Sequence, residues 1–138
     1  GTTDYAVEIF YEAVKNKKYT CFLKEDTMLP MMYMPDCIKA TINLAEADPD
    51  KLVHHSDFNV AAFSFTPGQL ADEIRKFIPD FEITYKPDFR QAIADSWPHS
   101  IDDSCARREW GWQPSYDIYS MTKDMIEKLT EKHKKGLI

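Results

Sequence analysis

The sequence predicts a mixed α/β fold, too sparse in parallel strands to form a doubly wound sheet alone. Two observations carry this. Amphipathic stripes recur at helical spacing, as at Ala6, Ile9, Phe10 and Ala13 and again at Leu70, Ile74, Phe77 and Ile78. Between the helices lie only short strand-like runs. The most apolar, Phe58-Asn59-Val60-Ala61-Ala62-Phe63, suits a strand covered on both faces, as in a parallel sheet. A length of 138 residues leaves room for one ordinary domain.

In chain order, Thr2-Thr3-Asp4 offers N-caps for a helix through about Val14, and Asn16-Lys17-Lys18 ends it. Tyr19 to Leu23 reads as a strand, and Lys24 to Thr27 as a polar turn. Leu29 to Tyr33 reads as a second strand, where Pro30 argues for an edge or irregular position. Pro35 fits the first turn of a helix that runs to about Ala47, before Asp48-Pro49-Asp50. After the Phe58–Phe63 run, Thr66-Pro67-Gly68-Gln69 is a capping box with proline inside the first turn. Phe81 to Tyr85 alternates as a strand, and Phe89 to Ala94 allows a helical turn. Asp102 and Asp103 cap a short helix that Gly111 and Pro114 terminate. Ile118, Met121, Met125 and Leu129 line a last helix to about Lys132.

Composition narrows the function. The net charge of −6, with no concentrated basic face, argues against nucleic acid or an anionic membrane as partner. No apolar run is long enough to span a bilayer. The opening Gly1-Thr2-Thr3 carries no secretory pattern and no Met, so the chain is expected to begin inside a larger protein. Cys21, Cys37 and Cys105 show no Cys-x-x-Cys spacing and read as small buried hydrophobes of a reducing compartment. The four glycines, Gly1, Gly68, Gly111 and Gly136, cannot build a phosphate-cradling loop, and no Gly-x-Ser-x-Gly elbow occurs.

Candidate site residues are few. A helix start such as Gly1-Thr2-Thr3 offers free N–H groups and the dipole to an anion, though plain capping uses the same groups. Trp97, followed by Pro98 in a loop-like segment, fits either a pocket wall or an anchor to the core. Trp110 and Trp112 suit the anchoring role, because they flank the helix stop. Met28, Met31, Met32 and Met34 can form an adaptable apolar wall or simple core. His54-His55 lacks a third ligand at useful spacing and reads as a surface loop, so no metal is expected. His99 lies near Trp97 in sequence, but a lone histidine is more often structural.

Four stretches together carry a family resemblance: "GTTDYAVEIFYEA" at 1–13, "LPMMYMPDCIKATI" at 29–42, "FNVAAFSFTPGQLADEI" at 58–74 and "SWPHSIDDSCARREWGWQP" at 96–114. They resemble, in order and over nearly the whole length, the C-terminal part of L-threonine 3-dehydrogenases of the extended short-chain dehydrogenase/reductase family. The resemblance implies the C-terminal, substrate-binding portion of a Rossmann-type subunit. That portion is a small mixed α/β substrate lobe, to which "FNVAAF" adds an element of the nucleotide-binding sheet. It implies substrate contacts from Gly1, Thr2, Thr3 and Trp97. The family's glycine-rich nucleotide loop is absent from these residues, and its catalytic Tyr-x-x-x-Lys pair is expected to lie outside them.

Catalytic and cofactor-binding residues are therefore expected outside this chain, with NAD held mainly by the remainder of the subunit. These 138 residues are expected to be inactive alone. Threonine as substrate, a homodimer when intact, and a mitochondrial location in a eukaryote or cytoplasmic in a bacterium are further implications of the resemblance. Two readings compete. A nucleotide-sugar epimerase or reductase of the same superfamily would want Arg90, Arg107 and Arg108 around a diphosphate. A non-catalytic binding module would need no nucleotide loop at all.

Overall fold

The computed structural model describes residues 4–138; the candidate contacts Gly1, Thr2 and Thr3 lie outside the described residues. Asp4 caps the first helix, its carboxylate accepting from the Ala6 N–H at 3.0 Å. This helix, α1 (Tyr5–Asn16), buries Ile9, Phe10 and Ala13 and stops at Lys17, whose φ of 54° is left-handed. Strand β1 (Lys18–Cys21) follows, then β2 (Leu29–Met31) and α2 (Met34–Ala45), with Pro35 in its first turn. After a 3₁₀ turn at Pro49–Lys51 come β3 (Phe63–Phe65), α3 (Pro67–Arg75), β4 (Glu82–Tyr85) and α4 (Phe89–Asp95). The last two helices are α5 (Ser104–Trp110) and α6 (Ile118–Lys134).

The strands form two small pairs. β1 lies parallel to β4, with Tyr19 beside Ile83, and β2 lies antiparallel to β3, with Leu29 beside Phe65. Helices α1, α3 and α6 pack on one another around the larger core, which holds Ile9, Phe10, Phe65, Leu70, Ile74 and Leu129. A second cluster, built from Ala40, Ala106 and Trp112, gathers Met32, Phe58, Val60 and Trp110 around it. Burying these apolar surfaces is the main favourable term for both. Asp36 joins the second cluster to the start of α6. Buried at the head of α2, its carboxylate accepts from Ser115 N–H at 2.8 Å and from Tyr116 N–H at 3.0 Å.

Local rules hold where they were specific. Thr66 and Gln69 close the capping box that starts α3. Gly68 is required there by a close approach: a Cβ would stand 2.8 Å from Glu25 Cγ and 3.3 Å from the Glu25 carbonyl oxygen. Gly111 ends α5 in the left-handed region, at φ 71°.

Three expectations need correction. The strand does not occupy Phe58–Phe63: residues 58–62 are irregular and the strand begins at Phe63. The earlier apolar residues serve the second cluster instead, with Phe58 edge-on to Trp110 and the Ala61 carbonyl accepting from Trp112 Nε1 at 2.8 Å. Asp103 sits at the N-cap position of α5 but does not cap it; it pairs with Arg107 at 2.8 Å, while Asp102 accepts from Ser104 N–H. Of the cysteines only Cys21 is buried; Cys37 is exposed and Cys105 half-buried.

Candidate functional site

Trp97, for which the sequence leaves wall and anchor open, is largely exposed. It follows α4, keeps 57% of its surface accessible, and belongs to neither core. Trp112 is the opposite case, fully buried and hydrogen-bonded through its indole to Ala61. Trp110 packs at 5.9 Å from both Phe58 and Trp112, which suits an anchor too.

Trp97 forms one wall of a hollow of about 440 Å³, within the range of small-molecule sites. Phe22, Leu29, Met31, Met32 and Ile93 supply further apolar lining. Of the four methionines named from the sequence, Met31 on β2 and Met32 just after it reach the hollow, whereas Met34 is 63% exposed on α2. Asp4, at the head of α1, and Arg90, on the first turn of α4, are its charged members.

Arg90 is held rigidly. Its guanidinium lies 3.3 Å from the centre of the Phe22 ring and donates to Asp88, with the shortest contact 2.6 Å. The hydrogen-bonded Asp88 carboxylate raises the already high Arg90 pKa further, and Arg90 in turn holds Asp88 below the usual carboxylate range. Tyr5 also lines the hollow; its hydroxyl is buried without a hydrogen-bond partner among the described residues. Burial, with the Asp4 charge nearby, pushes that phenol far above its ordinary range, so it stays a neutral donor. Sequence reasoning singled out neither Tyr5 nor the Arg90–Phe22 stack, because neither has a spacing signal.

The arginines named for a diphosphate do not converge. Of Arg90, Arg107 and Arg108, only Arg90 lines the hollow; Arg107 pairs with Asp103, and Arg108 donates to Cys105 Sγ at 3.3 Å. His99 lines a separate, smaller hollow beside Gln91 and Asp95.

His54 did find ligand-type neighbours, although its sequence surroundings offered none. Its Nδ1 lies 2.7 Å from Glu109 Oε1, and Cys105 completes a group whose donor atoms lie within 4.8 Å of one another. The Glu109 hydrogen bond raises the His54 pKa, and the backbone N–H of His54, together with its ring, lowers that of Glu109. The three residues come from positions 54, 105 and 109, so no local pattern could reveal them.

No family model matches the chain. Individual proteins do. An uncharacterized epimerase/dehydratase of Staphylococcus haemolyticus is 52% identical over 133 residues, which span 96% of this chain and 42% of that protein. The mitochondrial L-threonine 3-dehydrogenase of Bos taurus is 50% identical over 127 residues, 91% of this chain and 34% of that protein. The crystal structure of L-threonine dehydrogenase from Phytophthora infestans superposes with a TM-score of 0.92 at 57% identity, covering 96% of this chain and 43% of that one. A heptose epimerase of Helicobacter pylori shares the fold alone, at 18% identity and a TM-score of 0.73. The chain thus spans about two fifths of the length of the relatives it matches.

Proposed function

We propose, from the premise that this chain belongs to the C-terminal part of the L-threonine 3-dehydrogenase family of epimerase/dehydratase-like proteins, that it forms the substrate-side part of an NAD-dependent L-threonine 3-dehydrogenase. The intact protein would oxidise the threonine 3-hydroxyl to a ketone in threonine catabolism, yielding 2-amino-3-ketobutyrate. NAD would accept the hydride from C3, and a base in the remainder of the subunit would take the hydroxyl proton.

One observation carries this reading. The Trp97 hollow combines apolar walls with one anionic and one cationic side chain, Asp4 and Arg90. Groups of both signs on an apolar wall suit a small zwitterion better than a nucleotide diphosphate, which needs several converging cations. Gly1, Thr2 and Thr3 directly precede Asp4 in the chain and are proposed as carboxylate contacts. Trp97 is proposed to cover the substrate and exclude water, which strengthens polar contacts beneath it. NAD is assigned to the rest of the subunit, together with the homodimer contacts. The mitochondrion is proposed for a eukaryotic source, as in the Bos taurus protein, and the cytoplasm for a bacterial one.

The test is NADH formation by the intact protein with L-threonine and NAD, run beside sugar nucleotides. Turnover of threonine and none of the sugar nucleotides is the expected result. Epimerisation of a sugar nucleotide without threonine oxidation would overturn the assignment.

A further inference from the structure

Away from the Trp97 hollow, Cys105 and Glu109 stand one turn apart on the same side of α5. The loop after the 3₁₀ turn carries His54 to them. The geometry points to a binding site for a borderline-soft divalent cation of the Zn²⁺ class, with a His54 ring nitrogen, Cys105 Sγ and Glu109 Oε1 as its three protein ligands.

The donor set fits that chemistry. Imidazole, thiolate and carboxylate are the ligand types of zinc sites, at about 2.0–2.1, 2.3 and 2.0–2.2 Å from the ion. Tetrahedral ligands at those lengths stand about 3.3–3.7 Å apart. The present trio, all within 4.8 Å with one contact of 2.7 Å, brackets that spacing and reaches it by side-chain rotation. The ion takes the place of the proton that now joins His54 to Glu109, and the Cys105 thiol gives up its own proton on binding. Thiolate and carboxylate then balance the two positive charges.

The carboxylate is already oriented. Glu109 Oε2 accepts from the backbone N–H groups of Val53 at 2.8 Å and His54 at 3.0 Å, which leaves Oε1 turned to the ring. Arg108 donates to Cys105 Sγ at 3.3 Å and holds the sulfur in the same way. Such outer contacts are what fix ligands in metal sites. A His–Glu hydrogen bond alone calls for no thiol, and the Cys105 sulfur is what distinguishes this group. All three residues are half-buried, so a fourth position opens to water. Filled, the site would clamp the 53–55 loop to α5.

The experiment uses the intact protein, with Co²⁺ as the spectroscopic probe and Zn²⁺ as competitor. Co²⁺ should produce a sulfur-to-metal charge-transfer band and the intense visible absorption of a tetrahedral site, and Zn²⁺ should displace both. Cys105→Ser should abolish the charge-transfer band. His54→Gln and Glu109→Gln should each weaken Zn²⁺ binding about tenfold or more, since even outer contacts contribute that much. The glutamine at 109 can still accept from the two backbone N–H groups, so this variant keeps the loop in place. Cys37→Ser, on the exposed side of α2, should leave the band intact. A band that survives Cys105→Ser, or folded protein in excess Co²⁺ without any such band, overturns the site.

Discussion

Trp97 and Trp112 are one residue type in two environments, and truncating each should do different things. Trp97 keeps 57% of its surface in water, whereas Trp112 has none exposed and donates to the Ala61 carbonyl. A buried tryptophan replaced by alanine costs about 3–5 kcal/mol. Orphaning the Ala61 carbonyl adds about 1–3 kcal/mol if water cannot reach it. Trp97→Ala forfeits less than half of such burial, about 2 kcal/mol or less at about 25 cal/mol per Å². At roughly 2–4 °C per kcal/mol for a subunit of the relatives' size, Trp112→Ala should lower Tm by 10 °C or more and Trp97→Ala by a few degrees.

Kinetics should invert the order. Losing an aromatic wall worth about 1.5–3 kcal/mol to the bound substrate raises the KM for threonine roughly ten- to a hundredfold in Trp97→Ala. NAD affinity should stay unchanged. Trp112→Phe, which keeps most of the packing and loses only the hydrogen bond, should fold and leave KM alone. Differential scanning fluorimetry and steady-state assays of the intact variants measure both axes. Equal losses of Tm in Trp97→Ala and Trp112→Ala, with threonine KM untouched, would refute the pocket role of Trp97.

Thr2→Ala or Thr3→Ala should cut kcat/KM roughly ten- to a hundredfold, because a hydrogen bond to a charged group contributes about 1.5–3 kcal/mol; unchanged kinetics would leave these residues only a capping role. Lys17→Gly should raise denaturant stability by up to about 1 kcal/mol, because the left-handed φ of 54° is strained for lysine and its exposed ion pair with Asp80 contributes little. Lower stability would show that the ion pair outweighs the strain. Asp124 is held below its usual pKa first by the Lys128 ammonium and also by the Tyr33 hydroxyl, at 2.7 and 2.8 Å. A depressed folded value contributes stability above the unfolded pKa of about 3.9, and this is lost as pH falls through the folded value. Asp124→Asn should therefore flatten the acid limb of a stability-against-pH curve, and an unchanged limb would refute the linkage.

What the sequence disclosed was local. The Thr66–Gln69 box, the Gly111 stop and the proline that opens α2 follow from chemistry within one helical turn, and each stands as expected. The Phe58–Phe63 run misled because apolar residues in an irregular segment look like a covered strand. Here Phe58 and Val60 serve a side cluster, and the Ala61 carbonyl faces an indole. Asp103 misled in the same manner, since an arginine one turn ahead outcompeted the backbone for its carboxylate. The pairing of β1 with β4, residues 18–21 beside 82–85, had no local signal, and neither did the approach of His54 to Glu109. The loop setting of Trp97 left wall and anchor both open, and the Arg90–Phe22 stack in the same hollow needed coordinates.

The Asp36 carboxylate grips the amides of Ser115 and Tyr116, just ahead of α6 and far from α2 in the chain. Those two N–H groups belong to neither helix, so no ladder shields them from solvent exchange. Their protection from deuterium depends on α2 staying docked. Amide exchange at positions 115 and 116 thus works as a built-in clock for the detachment of α2, readable in the native protein without any substitution or attached dye. If the second cluster opens before the main core, these two amides will exchange faster than those of α1 and α3 and in step with the indole of Trp112.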